Sequence, residues 1–289
     1  MKSFTFLAAG SVAEAVAALR EHGAGARVLA GGQSLLLAMK DRLATPSAIV
    51  SIGRLPELRG CSRDNGVVQI GAATTYFELE TADLGTGASE LVGRVCAEVA
   101  DIPVRRMGTA GGALCQADPQ FDFPVGAVAL GAELELASPR GRRAVAAAEF
   151  LKGRGKTACA PDEILTAIRF RPGDGRTGAA FEKFAVRRFD PAIASVACVL
   201  RVADGGAVAE ARIVCGGVAE TPLRLTGAEG VITGQALTEK LADEAGRLSS
   251  AELPTTSLNA LYAPGYRRQL VPALVSRALR RAYTAAAER

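Results

Sequence analysis

Two glycine pairs are the residues of this sequence best suited to chemistry. The first lies in Ala30-Gly31-Gly32-Gln33-Ser34, and the second lies in Gly108-Thr109-Ala110-Gly111-Gly112-Ala113. Consecutive glycines let backbone N–H groups approach an anion without obstruction by a Cβ atom, and Ser34 adds a hydroxyl donor. The two segments could together hold the two phosphates of one dinucleotide. A tight structural turn is the alternative for each.

Conventional catalytic side chains are scarce. His22 is the single histidine, so a metal site with two histidines is excluded. Six cysteines are scattered along the chain, and the closest two, Cys198 and Cys215, are 17 residues apart. This spacing provides neither a zinc ribbon nor an iron–sulfur motif. The chain therefore either borrows a cofactor or performs no chemistry of its own.

Other nucleotide-binding motifs fit poorly. Residues 153–157 end in GKT like a P-loop, but the full pattern needs a glycine where Phe150 stands and a strand before the loop. No GxGxxG follows a predicted strand, so a Rossmann dinucleotide site has no support. We interpret 153–157 as an ordinary basic turn.

Hydrophobic periodicity predicts the elements that carry the glycine pairs. Ser11-x-x-Glu14 is a capping box before a helix, and a strand at Arg27–Ala30 runs into the first pair. With a further strand at Ala48–Ile52, residues 1–57 form a small α/β unit. From 58 to 175 strands and helices mix irregularly, which favours the α+β class.

Later segments are predicted in the same way. We predict helices at Ser89–Ala100, Phe123–Ala132, Thr238–Ser249 and Tyr266–Ala287, and strands at Val67–Ala72, Ile164–Phe170, Ala179–Arg187, Ala192–Ala203 and Val208–Cys215. The last three strands form an antiparallel meander. Pro272 should mark a helix start or a kink. We place a domain boundary near residue 175, which separates domains 1–175 and 176–289.

Charge and hydropathy indicate which kinds of partner, nucleic acid or membrane, this protein could bind. Lys and Arg number 34 against 30 Asp and Glu, and six arginines against Glu288 make residues 261–289 basic. This segment has few aromatic platforms for nucleic acid, so we interpret it as a solvated or partner-facing helix surface. The longest apolar runs are ten residues, whereas a membrane helix needs about 20. We expect a cytoplasmic protein with no membrane span and no nucleic-acid partner.

At the glycine pairs the sequence resembles the FAD-binding medium subunit of molybdenum hydroxylases, the group of carbon monoxide dehydrogenase and xanthine dehydrogenase. The family's first flavin motif reads approximately AGGQSLLPxMKxR, and Ala30–Arg42 reads AGGQSLLLAMKDR. The second reads approximately GTIGGNLAxADPxxDLP, and Gly108–Pro124 reads GTAGGALCQADPQFDFP. Further matches continue in family order to Tyr266-Arg267-Arg268, so the resemblance covers essentially the whole chain.

The resemblance implies the fold and the flavin contacts. Two α+β subdomains, about 1–57 and 58–175, would sandwich FAD as in the vanillyl-alcohol oxidase and p-cresol methylhydroxylase type, followed by a C-terminal antiparallel sheet with helices. The residues expected to wrap the pyrophosphate are Val28, Leu29, Ala30, Gly31, Gly32, Gln33, Ser34 and Leu35. The second loop on the cofactor would be Thr109, Ala110, Gly111, Gly112 and Ala113. Those expected near the ribityl chain or the ring are Val99, Asp122, Leu165 and Lys183.

The sequence departs from the family pattern at four positions. Leu37 replaces the usual Pro, Ala110 an Ile or Val, Ala113 an Asn, and Phe181 a Tyr. These changes predict altered flavin affinity or potential. The chain also lacks the cysteine-bearing insert of the branch that reduces aromatic acyl-CoA.

The function implied by the resemblance is electron transfer, with no catalytic side chain on this chain. A large subunit would carry the molybdenum cofactor, and a small subunit with 2Fe–2S clusters would pass electrons to FAD and on to an external acceptor, in a dimer of heterotrimers (a heterohexamer). One alternative is a stand-alone flavin oxidase or reductase of the same fold, which would need its own acid or base. The other is a non-enzymatic protein that binds nucleic acid through its basic tail.

Overall fold

A three-stranded parallel sheet forms the first lobe in the computed structural model, which describes residues 2–173, 175–255 and 264–288. The elements are β1 (Thr5–Ala8), α1 (Val12–His22), β2 (Ala26–Leu29), α2 (Leu35–Lys40) and β3 (Ala48–Ser51), with the strands in the order β1-β3-β2. Helix α1 buries an apolar stripe because its small and branched residues recur at helical spacing. Ser11 accepts from the Glu14 N–H at 3.1 Å, but the Glu14 carboxylate bonds the Gly10 N–H at 2.5 Å, so half of the predicted capping box forms.

The second lobe contains a five-stranded antiparallel sheet with helices. Its elements are β4 (Cys61–Asp64), β5 (Val67–Gly71), α3 (Tyr76–Thr81), α4 (Glu90–Ala97), α5 (Ile102–Met107), α6 (Ala110–Gln116), α7 (Asp122–Ala129), β6 (Glu133–Ser138), β7 (Gly141–Ala146), α8 (Ala147–Phe150), β8 (Leu151–Gly153), β9 (Lys156–Thr157) and β10 (Ile164–Phe170). The strand order is β4-β5-β10-β6-β7, and β8 and β9 form a separate hairpin at the GKT segment. Every residue of α7 is buried, and all of them except Asp122 are apolar.

A four-stranded antiparallel sheet and three helices form the C-terminal part. They are β11 (Thr177–Phe184), β12 (Ala194–Val202), β13 (Val208–Gly216), β14 (Leu223–Arg224), α9 (Thr226–Ile232), α10 (Glu239–Glu252) and α11 (Pro264–Ala287). Alternate residues point to opposite faces of a strand. Thus Phe181 and Ala197 join the core of the second lobe, while Val196 and Cys198 pack with α10 and α11. Both faces of this sheet are buried.

The predicted α+β class with a C-terminal antiparallel sheet is confirmed. Several boundaries differ. The helix predicted at Ser89–Ala100 ends at Ala97, and the strand predicted to reach Arg187 ends at Phe184. Among the described residues, no helix is both long enough and apolar enough to span a bilayer.

Pro272 does not mark a helix start, because α11 begins at Pro264 and continues through Pro272. A proline inside a helix leaves the carbonyl four residues earlier without its usual donor. That carbonyl, of Arg268, accepts instead from the Ser250 hydroxyl of α10 at 3.1 Å. The neighbouring helix thus compensates for the missing bond, which the sequence pattern could not show.

Candidate cofactor site

The first glycine pair lies in a loop whose backbone donors are free. β2 ends at Leu29 and α2 begins at Leu35, so residues 30–34 form a short connection at the end of a parallel strand. The five consecutive N–H groups from Gly31 to Leu35 make no hydrogen bond with any group in the described part of the chain. Gly32 has a φ of +75°, which L side chains rarely adopt. Such a run of free amides is a ready-made site for an anion.

Close packing places this loop beside the second glycine motif. A Cβ at Gly31 would lie 1.8 Å from the Met107 carbonyl oxygen and 3.1 Å from the Gly108 Cα. On the other side, a Cβ at Gly53 would lie 2.7 Å from the Ala30 oxygen. The two glycine segments, distant in sequence, are therefore adjacent. Gly53, which the sequence analysis did not single out, helps to hold the loop at this position.

The amides of the second motif are already engaged. The Ala110 N–H donates to the Thr74 carbonyl at 3.1 Å and the Gly111 N–H to the Ala72 carbonyl at 2.8 Å. Thr109 then accepts from the Gly112 N–H through its hydroxyl at 3.1 Å, as the N-cap of α6. The amides of Ala110, Gly111 and Gly112 therefore already have acceptors within the fold. That this segment forms the second loop on the cofactor stays a prediction.

The two adjacent glycines of the second motif lie in different surroundings, one against β5 and the other at the protein surface. A Cβ at Gly111 would lie 2.6 Å from the Ala72 Cβ, so this glycine lets α6 pack against the end of β5. Gly112 is exposed, whereas Thr109, Ala110 and Ala113 are buried. Only Gly112 presents the helix start to the surface. The buried Ala113 methyl offers no polar group there.

Asp122 and Lys183 form a buried ion pair, although 61 residues separate them in the chain. Lys183 Nζ lies 2.6 Å from Asp122 Oδ2, and each side chain is 4% exposed. The lysine also donates to the Glu98 carbonyl oxygen at 2.8 Å. The first residue of α7 and the end of β11 thus meet at the end of α4, next to Val99.

One oxygen of Asp122 is left without a donor. Its Oδ1 atom is buried and has no hydrogen-bond partner in the described residues. Burial raises the pKa of Asp122 from 3.8 to about 6, although the nearby Lys183 ammonium acts in the opposite direction. A buried carboxylate oxygen without a donor is unfavourable unless a bound group supplies one. The atom is therefore suited to accept a hydrogen bond from a ligand hydroxyl.

Tyr76 connects the two halves of the site and was missed by the sequence analysis. A Cβ at Gly108 would lie 2.8 Å from the Tyr76 ring, and the ring centroids of Tyr76 and Phe123 are 6.1 Å apart. Burial, the largest cause, and Asp122 both raise the Tyr76 pKa well above its usual range. Its only sequence signal is a threonine–tyrosine step after β5, which does not reveal its partners.

The remaining predicted site residues differ in their surroundings. Val28 to Leu35 are all half-buried, so the first loop is accessible along its length. Val99 is half-buried beside the main core. Leu165 is only 3% exposed and belongs to that core, so its side chain is a packing residue in this structure.

The basic C-terminal helix is largely engaged within the fold. Arg281 pairs with Glu182 at 2.5 Å, and the buried Arg267 donates to the Ile193 carbonyl. Arg268 bonds the Leu253 carbonyl, and Arg280 lies 3.7 Å from Asp243. Arg289 lies outside the described residues. Arg267 and Arg268 are thus directed into the fold, whereas Arg277 is exposed and the Arg280 and Arg281 side chains remain 42% and 65% exposed.

Comparison with known families identifies the family of this chain. Residues 2–171 match the model of the FAD binding domain in molybdopterin dehydrogenase, and residues 179–282 match the CO dehydrogenase flavoprotein C-terminal domain. The chain belongs to the family of FAD-binding medium subunits of molybdenum hydroxylases. The predicted family, its FAD cofactor and its oxidoreductase class are thereby confirmed.

Individual relatives cover nearly the full length of this medium subunit. The carbon monoxide dehydrogenase medium chain of Afipia carboxidovorans is 36% identical over 280 residues, which span 97% of this chain and 96% of the relative. The glyceraldehyde dehydrogenase medium chain of Sulfolobus acidocaldarius is 34% identical, over 96% and 97% of the two chains. A solved carbon monoxide dehydrogenase structure from Hydrogenophaga pseudoflava matches with a TM-score of 0.93 at 34% identity, over 98% of each chain.

Proposed function

We propose that this chain is the electron-transfer flavoprotein of a molybdenum hydroxylase complex, with FAD held between the first glycine loop and the Asp122–Lys183 pair. A small partner subunit with 2Fe–2S clusters supplies the electrons, an external acceptor receives them, and a large partner subunit carries the molybdenum cofactor. The complex is a cytoplasmic dimer of heterotrimers. Residues 1–175 form the FAD-binding domain, and residues 176–289 form the C-terminal flavoprotein domain.

The free amides of Gly31 to Leu35 are the observation that carries this proposal. They are donors without acceptors in the described residues, on a loop held rigidly between Gly53 and the Met107–Gly108 backbone. A pyrophosphate supplies acceptor oxygens with negative charge, which backbone N–H groups bind well. Because the loop is fixed by packing, it binds the pyrophosphate with little loss of conformational entropy.

The Asp122–Lys183 pair suits the polar middle of the same cofactor. The unpartnered Asp122 Oδ1 would accept a hydrogen bond from a hydroxyl of the ribityl chain, and the buried Lys183 ammonium lies beside it. When bound, FAD supplies the redox chemistry, which the side chains of this protein do not provide. A buried ammonium stabilises negative charge that develops nearby, because the local dielectric is low.

A negative charge introduced next to the free amides of Gly31 to Leu35 tests whether they bind the pyrophosphate. Ser34 is half-buried and makes no capping hydrogen bond with α2, so it can be changed without loss of a structural contact. We expect Ser34→Asp to abolish FAD binding by repelling the pyrophosphate, and the matched Ser34→Ala to retain it, since the amides remain. FAD fluorescence titration of the apoprotein measures both. Stoichiometric FAD on a folded Ser34→Asp protein would contradict the proposed site.

The partner subunits are tested separately. We expect the chain, expressed together with the large and small subunits of a molybdenum hydroxylase from the same organism, to purify in a complex that contains FAD, iron and molybdenum. The electron-transfer role predicts that substrate reduces the flavin only in the full complex, and not in the isolated chain. Reduction of the isolated chain by the same substrate would instead identify a stand-alone flavin enzyme.

A further inference from the structure

Arg105 is a buried arginine that bonds residues next to the proposed cofactor site but is not itself part of that site. It lies in α5 and is 7% exposed. Its Nε donates to Glu80 Oε2 at 3.0 Å, and its Nη1 donates to the Val99 carbonyl at 3.2 Å and the Ala100 carbonyl at 2.8 Å. A single guanidinium therefore connects α3 to the turn that follows α4.

The turn that Arg105 holds is strained. Ala100 has a φ of +42°, in the left-handed region that residues with a Cβ rarely adopt. A backbone in such a conformation persists only where the surrounding structure fixes it. The two hydrogen bonds from Arg105 to consecutive carbonyls, at Val99 and Ala100, provide that restraint.

The same turn orients Lys183. The Glu98 carbonyl, one residue before Val99, accepts from Lys183 Nζ at 2.8 Å, while Asp122 Oδ2 accepts at 2.6 Å. An ammonium has three N–H donors. Two of them are directed by these acceptors, and the third is left for a bound group. The position of the Glu98 carbonyl therefore decides where the third donor points.

Arg105 also lies in the helix that leads into the second glycine motif, three residues before Gly108. α5 ends at Met107, and the Gly108 N–H donates to the Val104 carbonyl at 2.7 Å, so the helix leads into Thr109 without a flexible linker. Movement of Arg105 would thus be transmitted both to the Glu98–Ala100 turn and to the start of α6. The Glu98–Ala100 turn and the start of α6 therefore both depend on this residue.

We propose that Arg105 is a positioning residue that acts on the flavin through the Glu98–Ala100 turn and Lys183. The inference rests on the proposed function, because it assumes that FAD binds beside the Asp122–Lys183 pair. Arg105 does not itself contact the cofactor. It fixes the buried ammonium that does, and so sets both FAD affinity and the reduction potential of the bound flavin.

A double-mutant cycle tests this role. We expect Arg105→Met to weaken FAD binding about tenfold, equivalent to about 1.4 kcal/mol, and to shift the flavin reduction potential. Arg105→Lys, which keeps the charge, should recover part of both effects. In the Lys183→Met background, adding Arg105→Met should change neither value further, since no ammonium remains to be positioned. Independent sites would instead give additive effects.

The control variant removes an arginine–glutamate pair elsewhere. Arg224 Nε lies 2.9 Å from Glu229 Oε1 in the C-terminal domain, so Arg224→Met reports the general effect of losing such a pair. We expect it to lower the thermal midpoint without changing the FAD dissociation constant or potential. If Arg105→Met does not fold, Arg105→Lys provides the same cycle, because an ammonium lacks the fixed planar arrangement of N–H donors with which the guanidinium contacts Glu80 and both carbonyls.

The other outcomes separate the two proposals. The positioning role would be overturned if Arg105→Met left FAD affinity and the flavin reduction potential unchanged while Lys183→Met weakened FAD binding. The proposed function would then still stand. Fully additive effects of the two substitutions would also overturn it. A wild-type chain that binds no FAD, or a Lys183→Met protein that binds FAD like the wild type, would overturn the proposed site and this inference together.

Discussion

Adjacent glycines in α6 give a sharp test of which surface faces the cofactor. A Cβ at Gly111 would lie 2.6 Å from the Ala72 Cβ and 2.7 Å from the Ala72 oxygen. Ala72 cannot retreat easily, because its N–H is bonded to the Thr166 carbonyl at 3.0 Å. Overpacking of this kind costs about 1–3 kcal/mol and a stretched hydrogen bond about 1, offset by about 1 from helix propensity. We expect Gly111→Ala to lower the free energy of unfolding of the apoprotein by about 2 kcal/mol.

Gly112→Ala should behave differently although it is the next residue. Its Cβ would meet only the Thr109 hydroxyl, at 2.7 Å, and a side chain can rotate away. Loss of the Thr109 cap costs about 1 kcal/mol, and the helix propensity of alanine returns about the same. The stability of the apoprotein should therefore change by less than about 0.5 kcal/mol. Because Gly112 is exposed beside the proposed cofactor, FAD affinity should fall about tenfold or more, from about 1–3 kcal/mol of steric conflict.

Urea denaturation of the apoproteins and FAD titration by fluorescence measure the two effects independently. The reasoning predicts opposite profiles: a stability defect in Gly111→Ala and a binding defect in Gly112→Ala. Wild-type FAD affinity in a normally stable Gly112→Ala protein would refute the position of α6 against the cofactor. Equal destabilisation by both substitutions would refute the packing argument.

Further predictions concern titration and backbone strain. Burial raises the pKa of Asp122 from 3.8 to about 6, so the folded apoprotein binds this proton more tightly than the unfolded chain and should lose stability as pH rises from about 4 to about 6. Asp122→Asn should remove this pH dependence of the free energy of unfolding, measured by urea denaturation at a series of pH values. An unchanged pH dependence would assign it to another group. Arg143 holds the pKa of the buried Glu163 below its usual 4.5, so the stability that this carboxylate contributes is present above that pH and lost below it. Glu163→Gln should cost about 2 kcal/mol at neutral pH and reduce the acid sensitivity, measured in the same experiment. Exposed Arg42 has a φ of +61°, so Arg42→Gly should relieve up to about 1 kcal/mol of backbone strain. The thermal midpoint should therefore rise slightly, and a lowered midpoint would contradict this.

Local patterns predicted most of the elements but not all of their ends. The strand before the first glycine pair, the buried helix α7 and the three-stranded meander follow from apolar runs bounded by turn residues. The hairpin at Asn65-Gly66 was missed, although both residues have positive φ and this dipeptide is a strong hairpin signal. For Pro272 the local pattern left a helix start or a kink open. The start is excluded because α11 continues through Pro272, where the Ser250 hydroxyl of another helix bonds the Arg268 carbonyl.

The sequence by itself determined the chemistry class of this protein. Glycine pairs after a strand and before a helix depend on backbone geometry that a few neighbouring residues specify, and their motifs identify the FAD-binding family. Only the tertiary structure decided which amides are free, at Gly31 to Leu35, and which are engaged, at Ala110 to Ala113. It alone joined Asp122 to Lys183 and placed Arg105 behind them. Hydrogen-bond partners and burial depend on contacts between segments far apart in the chain, and no local pattern encodes them.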